Sequence, residues 1–126
     1  MKSALMFGFS TDLCKHFYQV WKNASFQAFD YGPEKNLELY GTEWPLDYMA
    51  HYHLIDIPIH FFISMNDVLI RADDILEQYN TLRSLRPDLA FVKVFEGFSH
   101  LDFTYASHHS MISEILATLR TSIKYE

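Results

Sequence analysis

The chain has 126 residues, 14.9 kDa, with 49% hydrophobic and 17% aromatic content and a formal charge of -6 from ten basic and sixteen acidic residues. That length allows one compact domain at most. Four glycines and four prolines exclude collagen-like and low-complexity readings, and the acidic balance offers no basic face for nucleic acid. The single cysteine, Cys14, excludes an internal disulfide and a Cys-based zinc cage. It is expected to be a small hydrophobe buried in a helix. No run approaches the ~18–20 apolar residues of a membrane span. The stretch from Met1 to Phe9 is too short an apolar run, with no small-residue cleavage pattern after it, to be read as a signal peptide. Eleven Phe, eight Tyr and two Trp form the unusual part of the composition and predict a large buried surface, larger than 126 residues can build alone.

Residues 12–24 are predicted to form a helix: Thr11 can cap it, Asp12 sits in its first turn, and Leu13, Phe17, Val20 and Trp21 recur at helical spacing. Residues 26–56 show no period of two or 3.6. Phe26, Phe29, Tyr31, Tyr40, Trp44, Tyr48 and Tyr52 lie there among Gly32-Pro33, Gly41 and Pro45, which reads as an irregular segment pinned by its own aromatic side chains. From Ile57 to Ile63 the sequence is nearly continuously apolar, the pattern of a strand buried on both faces, with Pro58 at its start.

A polar loop, Ser64 to Asp67, follows this strand. Asp73 or Asp74 then caps a helix with Ile75, Leu76, Tyr79, Leu82 and Leu85 on one face, Arg83 and Arg86 in its last turn and Pro87 as its stop. Ala90 to Phe95 reads as a second strand, Glu96 to His100 as a loop, and residues 108–123 as a last helix with Met111, Ile112, Ile115, Leu116, Leu119 and Ile123 aligned. Strand, helix, strand, helix with short loops predicts an α/β fold with parallel strands over about 57–63 and 90–95 and a right-handed crossover.

Parallel strands end at one edge of their sheet, and open α/β sheets bind ligands outside those carboxyl ends. Asp67 follows the first strand and His100 the second, so an acid and an imidazole are delivered to the same edge. A carboxylate on one ring nitrogen fixes the tautomer and leaves the other nitrogen to take a proton from a nucleophile. The alternative is that Asp67 caps a turn and His100 is an exposed loop residue. His60 reads as a core histidine and His16, next to the apolar face of the first helix, as packed there. His51 and His53 would share a face of a strand, His108 and His109 are solvated at a helix start, and no cluster asks for a metal. For a nucleophile, Gly8-Phe9-Ser10-Thr11-Asp12 is the nearest approach to G-x-S-x-G. Asp12 replaces its second glycine and no strand precedes it, so helix capping explains Ser10 better. No phosphate loop or dinucleotide fingerprint occurs, and no cofactor is expected.

In order and spacing, Phe26-Gln27-Ala28-Phe29-Asp30-Tyr31-Gly32, Asn36, Tyr40-Gly41, Pro45-Leu46, Ile55-Asp56-Ile57-Pro58-Ile59, Asn66-Asp67 and Ser99-His100-Leu101-Asp102-Phe103 resemble the eukaryotic acid lipases. That family holds the gastric and lysosomal lipases and their plant and protist relatives, and the plant-like branch is the most similar. The resemblance covers roughly residues 15–120. It implies the C-terminal portion of an α/β-hydrolase: residues 1–56 as the end of the lid or cap region and 57–126 as part of the core, together an incomplete single domain. It implies cleavage of lipid carboxylic esters, triacylglycerols or sterol esters, at a lipid–water interface through a Ser–His–Asp triad. Asp67 is then the triad acid, His100 its base, and Asn66 and Asp102 are supporting residues. The family's serine elbow and oxyanion loop lie upstream of the segment resembled, so the chain alone is expected to be inactive. The alternative function is a non-catalytic truncated lipase-like protein that binds lipid or a partner. A secretory, lysosomal or vacuolar location follows from the resemblance only. Asn23-Ala24-Ser25 is a glycosylation sequon that fits it.

Overall fold

A computed structural model describes residues 10–105 and 109–122 as two compact units, Met1–His51 and Tyr52–Glu126. The expectations placed on Met1–Phe9, His108 and Ile123 lie outside the described residues.

In the first unit, helix α1 spans Thr11–Asn23. Ser10, rather than Thr11, is its N-cap: the Ser10 hydroxyl accepts the Leu13 N–H at 3.1 Å, one of the donors a helix start leaves unpaired. Ala24 closes the helix in the left-handed conformation. None of its residues is buried; Phe17 and Trp21 face outward, and Cys14 is exposed rather than packed. Two polar residues tie α1 to the segment that follows. His16 Nε2 lies 2.9 Å from the Gln27 carbonyl, and the Gln19 amide makes a two-way pair with the Asp30 backbone at 2.9 and 3.0 Å.

The stretch expected to be irregular contains a helix. Helix α2, Pro33–Tyr40, begins with proline at its first turn, where a missing N–H costs nothing, and ends on Gly41 at φ +75°. Its inward residue is Asn36, 1% exposed, while Leu37 and Leu39 point out. The helical period is therefore inverted in polarity, which hides the helix from a hydrophobic-pattern reading. Around it, Gln27 and Asp47 form an antiparallel bridge, Tyr40 Oη donates to the Phe29 carbonyl at 2.9 Å, and Phe26–Tyr48 and Phe29–Tyr31 stack at tilted angles. Met49–Leu54 is a 3-10 helix, so His51 and His53 do not sit on a strand.

The second unit is mixed α/β. Strand β1, Ile59–Ser64, pairs in parallel with β2, Ala90–Phe95, in the register Ile59↔Ala90 to Ser64↔Phe95. The first strand starts two residues later than expected, which leaves Pro58, with no N–H to give, outside the ladder. Helix α3, Ala72–Leu85, connects the strands. Asp73 and Asp74 lie in its first turn, favourable to the helix dipole, but the N-cap is Arg71 with no side-chain cap. Arg86 stands just past the helix end and donates to the Ile55 carbonyl at 2.6 Å.

Alternate residues of a strand face opposite ways. Phe61 meets Tyr79 of α3 edge-on, placing α3 on one face of the sheet. On the other, His60 stacks on Phe91 at 4.7 Å, Phe95 meets Phe103 of the short helix α4, Asp102–Tyr105, and Lys93 pairs with Glu114 of α5 at 2.8 Å. Helix α5 spans His109–Ser122. The core is small, with Ile63, Leu82 and Met111 its fully buried apolar side chains among the described residues. The strands are not buried on both faces throughout: Phe91 and Val94 of β2 are exposed.

Candidate active site

The carboxyl ends of β1 and β2 carry the two residues that topology places together. Asp67 Oδ2 lies 2.8 Å from His100 Nδ1. Asp67 also caps the turn after β1: its Oδ1 accepts the N–H groups of Leu69 and Ile70 at 2.8 and 2.9 Å. The two readings weighed for Asp67 are thus compatible, one oxygen serving each. Its side chain is only 10% exposed, that of His100 36%. A cleft of about 220 Å³ opens beside them, lined by Phe62, Ile63, Ile70, Ile75, Phe103 and Thr104 as well as by the pair and Ser64.

Burial acts to raise the Asp67 pKa. It is outweighed by the hydrogen bonds from Ile70, His100 and Leu69 and by the imidazole charge, and the carboxyl titrates below its ordinary range. An ionised carboxylate only accepts, so His100 Nδ1 carries the hydrogen and Nε2 is the basic nitrogen of the neutral ring. The depressed pKa has a sign for stability. The contribution is present in full above the ordinary carboxylate pKa of ~3.9 and is lost as pH falls through the lower folded-state value. Urea unfolding of the chain and of Asp67→Asn should therefore differ most at neutral pH and converge as pH falls below the ordinary carboxylate range. A difference that stays constant across that range would contradict the assignment.

The surrounding loops are held by polar side chains. Asp102 Oδ2 accepts both the Ser99 N–H at 2.6 Å and the Ser99 hydroxyl at 2.8 Å, fixing the backbone that precedes His100. Asn66 Oδ1 accepts the Gly97 N–H at 2.7 Å. Ser64, 3% exposed, donates to the Phe98 carbonyl. Sequence reasoning missed Ser64; the signal was a polar residue closing an apolar strand next to Asn-Asp. Ser10 is engaged as the α1 cap, and Asn23 stands exposed at the end of that helix. The Ser25 hydroxyl of the sequon is buried without a hydrogen-bond partner. Among the described residues no group of three His, Cys, Asp or Glu could hold a metal ion, and no helix is long and apolar enough to cross a membrane.

Comparison with known proteins finds lipases. The chain is 27% identical over 99 residues to Lipase 1 of Drosophila melanogaster, covering 79% of this chain and 22% of that protein. It is 32% identical over 100 residues to the gastric triacylglycerol lipase of Bos taurus, covering 79% and 24%. Against triacylglycerol lipase 1 of Arabidopsis thaliana it is 27% identical over 93 residues, covering 74% and 23%. The chain therefore spans about a quarter of the length of the curated relatives it matches. Fly, mammalian and plant lipases match alike, so the similarity supports a lipase family without selecting the acid-lipase branch. No protein-family profile and no solved structure matches the chain.

Proposed function

We propose that these residues form the acid-and-base portion of a lipid carboxylic-ester hydrolase of the acid-lipase type, acting on triacylglycerols or sterol esters. The observation that carries this reading is the 2.8 Å hydrogen bond between Asp67 and His100 at the carboxyl edge of a parallel sheet. The similarity to lipases supports it. In this reading residues 57–126 belong to an α/β-hydrolase core and the preceding residues to the end of its lid.

A serine completes the triad from outside these residues. His100 Nε2 takes its proton as the hydroxyl attacks the ester carbonyl, and returns it to the leaving alcohol, while Asp67 stabilises the imidazolium. Asn66 and Asp102 hold the loops that carry the pair and do not touch substrate. The apolar cleft beside His100 suits a hydrocarbon chain, and the lipid–water interface is where such a substrate is met.

The test is a chimera in which this segment replaces the stretch it matches in an intact lipase. Hydrolysis of a chromogenic fatty-acyl ester should persist and be abolished by His100→Ala. The 126-residue chain alone should show no turnover, because an acid and base without a nucleophile and oxyanion donors retain little of the mechanism. Full activity of the His100→Ala chimera would sink the assignment.

A further inference from the structure

Backbone pairing between β1 and β2 ends where Ser64 stands opposite Phe95, with one more bond from Met65 N–H to the Phe95 carbonyl at 3.1 Å. Beyond that point both chains are loops, and Asp67 and His100 lie out on them. Two side chains take over the pairing. The Ser64 hydroxyl donates across to the Phe98 carbonyl and accepts the Asn66 N–H at 3.2 Å. Asn66 Oδ1 then accepts the Gly97 N–H at 2.7 Å. Gly97 sits at φ +77°, a conformation that favours glycine. Side-chain oxygens thus do for residues 97 and 98 what strand backbone does for residues 90–95.

We propose that Ser64 and Asn66 are positioning residues: a clip that prolongs the parallel ladder past its last backbone bond and sets the separation of Asp67 from His100. A hydrogen bond weakens steeply with distance and misalignment. A small relaxation between the two loops therefore changes the Asp67–His100 bond far more than it changes overall stability. Asn66 is exposed and Gly97 can turn to water, so loss of the amide leaves few buried groups unsatisfied. The clip's bearing on ester hydrolysis rests on the function proposed above; the clip itself does not.

The experiment is proton NMR on the 126-residue chain, following the downfield His100 Nδ1–H resonance and its exchange with water. Asn66→Ala should leave the fold and thermal midpoint nearly unchanged. It should speed exchange of the Nδ1–H proton about tenfold, because the hydrogen bond that protects it is lengthened. Ser64→Ala, checked for folding by circular dichroism, should act in the same direction. Asn66→Asp keeps the acceptor and should restore slow exchange. Unchanged exchange in folded Asn66→Ala overturns the proposal. So does a failure of Asn66→Asp to restore slow exchange, or a folded wild-type chain lacking the resonance. None of these readouts uses turnover, so failure here is distinct from failure of the hydrolase assignment.

Discussion

Asp67→Asn, placed in an intact lipase carrying this segment, is expected to lower kcat by about four orders of magnitude with KM little changed. The reason lies in how the two carboxylate oxygens are used. One accepts the Leu69 and Ile70 N–H groups, so the carbonyl oxygen of an asparagine would be held on that side. The amide nitrogen would then face His100 Nδ1 at the position now occupied by Oδ2, 2.8 Å away. An amide nitrogen donates, so Nδ1 would have to accept and the ring hydrogen would move to Nε2. The nitrogen that should receive the serine proton would already carry one. Loss of the negative charge also removes the stabilisation of the imidazolium. Since none of this touches the binding of the acyl chain, KM is the wrong place to look for the effect. Steady-state kinetics on a soluble fatty-acyl ester measures it, and a loss smaller than about tenfold would remove Asp67 from the triad.

This pair was legible in the sequence because a single topological inference locates it. Once two buried strands are read as parallel, the residues just past their ends must share an edge, and Asp67 and His100 were the ones with chemistry. The details that hold the pair were not legible. Ser64 closes β1 and Asn66 lies in the turn after it, and nothing in their spacing says that one reaches Phe98 and the other Gly97. Helix α2 was hidden for a different reason. Its buried face is an asparagine and its leucines are outside, so the hydrophobic period is absent, although Gly32-Pro33 and Gly41 mark both ends. Apolar character in the first strand begins at Ile57, whereas pairing needs N–H groups and begins after Pro58. Among the aromatic residues, Trp21 is 65% and Trp44 76% exposed, and Cys14, expected to be buried on the same helix as Trp21, is exposed as well. The apolar stripe of α1 is real as a pattern, but its Phe17 and Trp21 remain exposed.

The largest expected effect on stability belongs to Asn36→Ala. Asn36 is 1% exposed and uses both ends of its amide. Nδ2 donates to Asp30 Oδ1 at 2.7 Å and to the Glu43 carbonyl at 3.0 Å, and Oδ1 accepts the Tyr31 N–H at 3.0 Å. Asp30 Oδ1 in turn accepts the Gly32 N–H at 2.9 Å, where the chain turns into α2. One side chain thus joins the segment before α2 to the segment after it. Alanine removes three bonds and leaves a backbone donor and a backbone acceptor without their side-chain partner, a loss of about 2–4 kcal/mol. The amide protons of Ala28 and Tyr48, which pair with Leu46 and Phe26 across the same segment, should lose most of their protection from exchange. Asn36→Asp distinguishes the lost hydrogen bonds from lost volume. The Asn36 amide and the Gly32 N–H hold the Asp30 carboxyl below its ordinary pKa. A second carboxylate in place of that amide would instead face it with like charge, so one of the two must bind a proton more tightly in the folded state than in the unfolded one. That raised pKa means stability recovered as pH falls through it, the opposite of the acid response expected at Asp67. Hydrogen exchange at neutral pH and at about pH 4 reads both effects; protection in Asn36→Ala equal to that of the unaltered chain would show that the amide is not what holds this unit together.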